Sequence, residues 1–365
     1  MIVSCKRENL ANGLAIVGRM VKQRATLPVL SNIMLSTDKG RLKLAATDLE
    51  AAVCTWIGGK IDEEGAVTAP ARTMTDYILA SSDETILLTV KETDIGLTSE
   101  HNKANIKGLE ASEFPIIPKI KGAEPVKVPA DKLKKAILSV SFAAALDEAR
   151  PVLAGLLIKS KNNSIYIVAT DSYRLAEQVI KVDKVVSPFE VIIPSRTANE
   201  LARILPQDKT DVLITIGENQ VEFAFGDIEF STRQIEGSFP DYNQIIPKDF
   251  VCEIESERGS FVEAVKVASI FARETGGNIK VSASDGRATI NAVSSQTGDT
   301  QGNFAVDFTG TPITVAFNAK YILDALSIME GQRVKVGFSG ELNPALITSA
   351  ESEGLKYIIM PLRSE

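Results

Sequence analysis

The most reactive side chains of this chain do not form a recognisable catalytic set. Three carboxylates are adjacent at Asp62-Glu63-Glu64, and Thr-Asp pairs occur at 47–48 and 170–171. The triple lies in a glycine-flanked stretch typical of a solvated loop, and a Thr-Asp pair at a strand end favours a turn in which Asp accepts backbone N–H groups. Gly58-Gly59 and Gly276-Gly277 match neither a P-loop nor a dinucleotide-binding pattern. We predict no catalytic residues and no enzymatic activity.

The histidine and cysteine content excludes further kinds of site. The single histidine, His101, rules out multi-histidine metal sites, and Cys5, Cys54 and Cys252 lie far apart with no C-x-x-C spacing. An odd number of separated cysteines favours a reducing cytosol over a disulfide framework or a cysteine zinc site. The N-terminus lacks a signal-peptide core, and no apolar run approaches about 20 residues. We expect a cytoplasmic protein without metal or other cofactor.

Length and composition are those of an ordinary soluble protein. Of the 365 residues, 44% are hydrophobic and 24% are charged. At about 100 to 200 residues per domain, this length indicates two or three domains. The 40 basic and 47 acidic residues give a net charge of −7. Bulk charge alone therefore disfavours a non-specific binder of polyanions.

Short segments recur in the same order along the chain, between 123 and 125 positions apart. The recurring pairs are 44–48 with 167–171, 68–73 with 192–197, and 113–115 with 238–240. The second pair has a weaker third member at 316–321. A spacing of one third of the chain indicates three copies of one structural unit.

Each copy contains the same predicted elements in the same order. A first amphipathic helix is predicted from apolar residues three or four apart, such as Leu10, Leu14 and Val17. Alternating strands follow, opened by turn residues as at 38–40 and 161–163. The second helices are predicted at 73–80, 197–205 and 321–329, just after the recurring Pro/Asn-x-Arg/Lys motif.

These elements predict an α+β fold of three repeated domains. Each domain has two helices and about eight mostly antiparallel strands. The predicted boundaries follow polar, proline-rich or lysine-rich stretches. They give domains at 1–120, 128–247 and 249–365.

Basic residues recur at corresponding helix positions although the chain is acidic. Arg72, Arg196 and Lys320 occupy the same repeat position, at the start of the second helices. Solvated helix faces explain scattered Lys and Arg residues. A protein-interaction scaffold without nucleic acid, which is the main alternative to a nucleic-acid binder, gives no reason for this correspondence. The pattern favours one basic surface built from all copies.

Five segments carry a resemblance to a known family. They are Thr26-Leu27-Pro28-Val29-Leu30, residues 169–176, residues 237–242, residues 317–326 and residues 357–363. In this set and order, the sequence resembles the bacterial DNA polymerase III beta subunit, the sliding clamp. The resemblance covers essentially the full length of the chain.

The resemblance implies a DNA-clamp fold in which each chain forms half of a closed ring. The ring is a head-to-tail homodimer that encircles duplex DNA without sequence specificity. It tethers the replicative DNA polymerase for processive replication, and it docks an AAA+ clamp loader, repair proteins and other proteins with a clamp-binding motif. No membrane is involved. The residues expected to face DNA are Arg24, Arg72, Lys132, Lys135, Arg150, Arg196, Lys266 and Lys320.

The resemblance also implies a hydrophobic pocket for a short partner peptide, and an interface between subunits. The implied pocket residues are Leu153, Thr170, Ser172, Tyr173, Arg174, Leu175, Pro240, Gln244, Ile245, Asn318, Tyr321, Leu342, Pro344, Ile358, Met360, Pro361, Leu362 and Arg363. Apolar and Met side chains accept varied aliphatic and aromatic anchors, and Arg174 and Arg363 are expected to hold polar groups of the peptide. The implied subunit contacts are Ile106, Ile270 and Phe271.

Two pocket positions depart from the family pattern. Tyr173 stands where well-known members have His, and Gln244 stands where an Arg often lines the pocket. These differences bear on which peptide is preferred. The DNA-contacting pair of some relatives is also missing from the loop at 147–152, where only Arg150 is assigned to DNA.

Overall fold

The computed structural model describes residues 1–22, 27–120, 124–147, 149–183 and 188–363. Arg24, which we expected to face DNA, lies outside these residues. The chain divides into two compact units, each made of two segments. Unit 1 is Met1–Lys134 with Glu200–Gln234, and unit 2 is Lys135–Asn199 with Ile235–Glu365. Each unit combines parts of more than one sequence copy, and the three predicted domain ranges stay a prediction.

Six α-helices lie within the described residues. They are α1 (Arg7–Val17), α2 (Ala71–Ala80), α3 (Ala130–Val140), α4 (Ser195–Ile204), α5 (Arg258–Phe271) and α6 (Ala319–Ile328). The predicted apolar stripe of α1 is confirmed, because Leu10, Leu14 and Val17 are fully buried. Gly13 allows α1 to approach its sheet closely, since a Cβ there would clash with the Leu44 side chain.

The second helix of each copy begins two residues earlier than predicted. Residues 71, 195 and 319 are the first of α2, α4 and α6, so the basic residue of the motif lies inside the first turn. Pro70 and Asn318 occupy the position before α2 and α6, and Asn318 accepts the N–H of Lys320 at 2.9 Å. An asparagine before a helix satisfies one of the free N–H groups there. The first residue of the motif therefore precedes the helix, and its second and third residues begin the helix.

Strands make up most of the rest of the described chain. They are β1 (Ile2–Lys6), β2 (Asn32–Asp38), β3 (Arg41–Thr47), β4 (Ala51–Ile57), β5 (Lys60–Glu63), β6 (Ala66–Pro70), β7 (Thr85–Lys91), β8 (Asp94–Thr98), β9 (Lys103–Lys107), β10 (Val126–Pro129), β11 (Gly155–Lys161), β12 (Ser164–Thr170), β13 (Arg174–Lys181), β14 (Glu190–Pro194), β15 (Asp211–Ile216), β16 (Gln220–Phe225), β17 (Ile228–Arg233), β18 (Cys252–Glu257), β19 (Asn278–Ser284), β20 (Arg287–Ser294), β21 (Gly298–Ala305), β22 (Asp307–Gly310), β23 (Ile313–Asn318), β24 (Arg333–Phe338), β25 (Ala345–Thr348) and β26 (Leu355–Ile359).

Each unit contains two sheets. Unit 1 has a five-stranded sheet, β5-β1-β7-β8-β9, and an eight-stranded sheet, β10-β15-β16-β17-β4-β3-β2-β6. Unit 2 has a nine-stranded sheet, β14-β11-β12-β13-β26-β25-β24-β18-β22, and a four-stranded sheet, β21-β20-β19-β23. Neighbouring strands are antiparallel, for example β12 with β13 and β13 with β26. The predicted α+β class with mostly antiparallel strands is confirmed.

The predicted hairpin turns are also confirmed. Lys39 and Gly40 join β2 to β3 with φ of 51° and 72°, and Asn162 and Asn163 join β11 to β12 with φ of 48° and 55°. Two successive residues with positive φ give the turn whose twist matches paired antiparallel strands. No helix among the described residues combines the length and apolar character needed to cross a membrane.

The three cysteines should be unreactive in the folded protein. Cys5, Cys54 and Cys252 are 4%, 3% and 1% exposed, and burial raises the pKa of each thiol to about 11. At pH 8 about one thiol in a thousand is then ionised, and only the thiolate reacts. We expect a thiol reagent to label the native protein very slowly and to label three thiols per chain in denaturant. One rapidly labelled thiol in the native protein would contradict this burial.

Candidate functional site

The loop between β12 and β13 in unit 2 has two exposed side chains, Ser172 and Tyr173. Thr170 Oγ1 donates to the carbonyl oxygen of Arg174 at 2.6 Å. Asp171 Oδ1 accepts the N–H groups of Tyr173 at 2.9 Å and of Arg174 at 3.1 Å. This bonding confirms that the carboxylate of the Thr-Asp pair satisfies backbone N–H groups in a turn. Ser172 takes a φ of 79°, and Tyr173 stays 59% exposed.

Arg174 does not have the role that the sequence suggested. Its guanidinium is nearly buried and donates to Asp171 at 3.0 Å, to the carbonyl oxygen of Phe142 at 2.8 Å and to Asp324. It also lies 4.4 Å from the centre of the Tyr321 ring, within range of a cation–π contact. These partners engage the guanidinium, so the expectation that Arg174 holds polar groups of a peptide is corrected. Arg174 instead orders the loop at 170–174 and lies against the Tyr321 ring.

Sequence reasoning missed Asp324, the acceptor shared by this network. Asp324 accepts from Arg174 and also from Lys320 Nζ, at 2.8 Å. The spacing of four residues between Lys320 and Asp324 was a visible signal for an ion pair on one helix face. The 150 positions between Arg174 and Asp324 left no such signal.

The segment after β26 lies beside the loop at 170–174. The N–H of Met360 donates to the carbonyl oxygen of Tyr173 at 2.9 Å, and the N–H of Leu362 donates to the carbonyl oxygen of Ala316 at 2.8 Å. These bonds fix the backbone between β13 and β23. Residues 360–362 are half-buried, so their apolar side chains remain partly available to a ligand.

Another group of predicted pocket residues follows the Phe-Pro motif of the second copy. Pro240 is exposed and Ile245 is 37% exposed. Asp241 accepts the N–H of Asn243 at 3.2 Å and the side-chain amide of Gln244 at 3.0 Å. Hydrogen bonds from Asn243 and Gln244 hold the pKa of the Asp241 carboxyl below its usual value. Gln244 thus presents an amide that is already engaged within its own turn.

The remaining rim residues come from the third copy. Leu342 is 73% exposed, and Pro344 is half-buried. Asn318 is held at the start of α6, and Tyr321 is half-buried one residue after Lys320. At the C-terminal end of the described chain, Arg363 is exposed.

Besides Arg174, four predicted pocket residues are buried in unit 2. Leu175 and Ile358 are 0% and 1% exposed and lie directly opposite each other where β13 pairs with β26. Both belong to one hydrophobic cluster, so their assignment as pocket wall is corrected to core packing. Thr170 and Leu153 are 6% and 8% exposed. Their small exposed area offers little surface to a ligand.

Arg72, Arg196 and Lys320 occupy the second position of α2, α4 and α6 and are exposed. The N-terminus of a helix carries partial positive charge, so a cation in its first turn is slightly destabilising. Arg72 and Lys320 offset this cost through ion pairs with Asp76 at 3.7 Å and Asp324 at 2.8 Å, whereas Arg196 makes no ion pair with a described residue. Helix stability therefore does not explain a basic residue at all three positions. The same partial charge adds to that of the side chain and favours phosphate.

The other residues expected to face DNA lie on α3, α5 and one loop. Lys132 and Lys266 are exposed and make no ion pair with another described residue. Lys135 donates to Glu330 at 2.6 Å, which reduces its free positive charge. Arg150 is exposed and donates to Ser172 Oγ at 3.1 Å, in the loop at 170–174.

The expected subunit contacts differ in how much surface they offer. Ile270 is 55% exposed near the end of α5, and Phe271 is half-buried. Ile106 lies on β9 opposite Ile95 and is only 7% exposed within its own unit. Ile270 therefore offers most of the apolar surface of this set.

A group of potential metal ligands lies in unit 1, formed by Asp83, Glu100 and His101. His101 Nδ1 lies 2.6 Å from Asp83 Oδ1, and the N–H of His101 donates to Asp83 at 3.1 Å. Hydrogen bonds from Ser99 and His101 hold the pKa of the Asp83 carboxyl well below its usual range. This hydrogen bonding accounts for the geometry of the cluster.

Comparison with known proteins covers the whole chain. Domain models of the DNA polymerase III beta subunit match residues 1–118 (N-terminal domain), 127–241 (central domain) and 243–363 (C-terminal domain). The beta sliding clamp of Staphylococcus aureus (strain Mu50 / ATCC 700699) is 28% identical over 375 residues, covering 100% of both chains.

Solved structures give the same result. The DNA polymerase sliding clamp from Bacillus subtilis is 28% identical with a TM-score of 0.95, and covers 100% of both chains. The DNA polymerase III subunit beta from Pseudomonas aeruginosa is also 28% identical, with a TM-score of 0.96 and the same coverage. With three consecutive domain models matched, this chain belongs to the DNA polymerase III beta subunit family, the bacterial beta sliding clamps.

Proposed function

We propose that two copies of this chain close head to tail into a ring that encircles duplex DNA and tethers the replicative polymerase. Each chain contributes three clamp domains, at 1–120, 128–247 and 249–365. The protein has no catalytic role of its own in this proposal and acts in the cytoplasm. The observation that carries the proposal is the exposed basic residue at the second position of α2, α4 and α6, in a chain of this family.

The charge distribution suits a protein that slides. A ring retains DNA by topology, so it needs a moderate positive potential and loose phosphate contacts. Tight readout of base edges would fix it at one sequence. Arg196, Lys132 and Lys266 fit this requirement, since they make no ion pair within the described part of the chain. The net charge of −7 leaves acidic residues for surfaces that do not contact DNA.

Two outer strands support the head-to-tail interface. β9 ends the five-stranded sheet of unit 1, and β21 ends the four-stranded sheet of unit 2. An outer strand presents unpaired N–H and C=O groups that another chain can pair with. Ile106 lies on β9, and Ile270 lies on α5, which packs against β21. A head-to-tail contact closes at two subunits when each spans half of the ring.

The partner pocket is proposed at the exposed apolar surface of unit 2. Tyr173, Leu342 and the segment 360–362 surround it, and Pro240 and Ile245 lie on the remaining side. Large, partly exposed apolar side chains with a Met among them can adapt to varied peptide anchors. The polymerase, the clamp loader and repair proteins would compete for this one site.

Retention on DNA tests the encirclement directly. The protein is assembled on nicked circular DNA with its clamp loader, and the DNA is then cut once before gel filtration. We expect retention on the intact circle and loss after cutting, because a ring slides off a free end. Equal, salt-resistant retention on the linear DNA would contradict encirclement.

Charge reversal tests the basic helix starts. We expect Arg72→Glu with Arg196→Glu to lower the yield of assembled rings at least about tenfold, since each reversal removes a phosphate contact from both subunits. The matched control is Lys91→Glu with Lys161→Glu, which makes the same charge change on exposed strand residues. If both double variants lower the yield of assembled rings equally, the effect comes from net charge alone. That result would contradict the assigned DNA surface.

A further inference from the structure

Unit 1 contains a cavity that corresponds by repeat to the proposed partner pocket of unit 2. Its volume is about 350 Å³, within the range of small ligand sites. The walls come from Thr47, residues 49–52, 115–118 and 231–233, and Gln220. The first two segments are the first-copy members of the repeated pairs whose second-copy members form the loop at 170–174 and the Pro240 wall. The function proposed for unit 2 assigns no role to this cavity.

The loops of the two sites have the same hydrogen bonds. Thr47 Oγ1 donates to the carbonyl oxygen of Ala51 at 2.7 Å, and Asp48 Oδ1 accepts the N–H of Ala51 at 2.8 Å. The corresponding distances in the loop at 170–174 are 2.6 and 3.1 Å. Leu49 has a φ of 75°, and its counterpart in unit 2, Ser172, has a φ of 79°. The two loops therefore present the same backbone to solvent.

The second wall also corresponds. The N–H of Arg233 donates to the carbonyl oxygen of Glu50 at 2.9 Å, as the N–H of Met360 donates to that of Tyr173 at 2.9 Å. In both units this bond lies at the end of the strand that pairs with the loop's own strand. Arg233 is the last residue of β17, which pairs with β4, and Met360 directly follows β26, which pairs with β13. The cavity thus repeats the backbone frame of the proposed pocket.

The side chains on this frame define a different preference. Ala51 replaces the buried Arg174, so no guanidinium fills the space behind the loop. Leu49 and Ile116 are 49% and 93% exposed and supply the apolar surface. Arg233 is exposed and makes no ion pair with the described residues, which leaves a cation at the position of Met360.

Glu50 limits the charge that a ligand can carry. It is exposed, lines the cavity and has no ion-pair partner among the described residues. A peptide with several acidic residues would meet this carboxylate, whereas a single acidic residue could pair with Arg233. A peptide with an apolar or aromatic anchor next to a single acidic residue therefore matches the site.

We propose that this cavity is a second docking site for an extended partner peptide, one with an apolar or aromatic anchor and a single acidic residue. The inference rests on the proposed function of the unit 2 pocket. Each chain then offers two sites of one backbone design and different charge. The unit 1 site is expected to be about tenfold weaker, because only Leu49 and Ile116 supply large exposed apolar area.

Calorimetry with one peptide tests the inference. The probe is a blocked hexapeptide that carries one Asp and ends in Leu-Phe, titrated into the full-length dimer. We expect two binding sites per chain, with affinities about tenfold apart. Deletion of residues 360–365 should remove the tighter site and leave the weaker one. Leu342→Glu serves as a second variant of the tighter site, since that side chain is 73% exposed and its replacement should not affect folding.

The variants of unit 1 should give the reverse pattern. Leu49→Glu with Ile116→Glu should remove the weaker site and keep the tighter one, while Leu79→Glu with Leu146→Glu, at exposed leucines elsewhere, should keep both. Arg233→Glu should weaken the second site for the Asp peptide and restore it for the same peptide with Lys in place of Asp.

Each outcome separates the two proposals. One site per chain that disappears in the 360–365 deletion would overturn the second site and leave the proposed pocket intact. Weak binding that persists in the Leu49 and Ile116 variant would also overturn it, because the peptide would be bound elsewhere. No binding by the wild-type dimer would contradict the proposed pocket itself.

Discussion

Deletion of residues 360–365 is expected to abolish binding of polymerase-type and loader-type peptides at the unit 2 pocket together. Met360 and Leu362 fix this wall through backbone bonds of 2.9 and 2.8 Å to Tyr173 and Ala316, and the deletion removes both bonds with the apolar surface between them. Burying two large side chains of a peptide contributes about 3 to 6 kcal/mol before ordering costs, which fits micromolar affinity. The measurement is calorimetry with each peptide.

The fold should survive this deletion. β26 ends at Ile359 and keeps its pairing with β13 and β25. Light scattering should still report a dimer, and peptide competition should show that both partner classes use one site. An unchanged affinity at this site in a folded, truncated dimer would mean that the pocket lies elsewhere on the chain.

Replacing Ile270 and Phe271 by Asp is expected to give folded monomers. Ile270 is 55% exposed in a single chain, and an interface would bury it beside the outer strand β21. Two carboxylates placed in an apolar contact lose their hydration without gaining a partner, which costs several kcal/mol per subunit contact. Light scattering should report 39.3 kDa in place of twice that mass.

The control is Leu79→Asp, which places one charge on an exposed leucine of α2. It should leave the dimer intact. Ile106 is a poor choice for this experiment, because its side chain is 7% exposed and a charge there would disturb its own sheet. A dimer that persists with both Ile270 and Phe271 replaced would show that the interface lies elsewhere.

The sequence was most informative where structure is local or repeated. Turns at 38–40 and 161–163, the apolar stripe of α1 and the α+β class follow from residue type and spacing, and all are found in the structure. The starts of α2, α4 and α6 were placed two residues late, because the motif was interpreted as preceding the helix. Pro70 and Asn318 in fact end the preceding strands, and the helix begins at the next residue.

The candidate site could not be predicted from the sequence where it depends on contacts between distant segments. Leu175 and Ile358 carry the same residue types as a pocket wall, and only the register of β13 against β26 shows that they face the core. Arg174 gave no sign of its distant partners Phe142 and Asp324. In contrast, the unit 1 cavity had a sequence signal, since its two main segments recur in the second copy.

The shared carboxylate of Asp324 has a consequence for genetics. It accepts hydrogen bonds from Arg174, which orders the loop at 170–174, and from Lys320, which belongs to the proposed DNA surface. A substitution at Asp324 would therefore disturb the loop at 170–174 and alter the free charge of Lys320 in the same strain, and its phenotype could not be assigned to either. Alleles that separate the two roles should come from Leu342 and Arg196, whose side chains are exposed and outside this network.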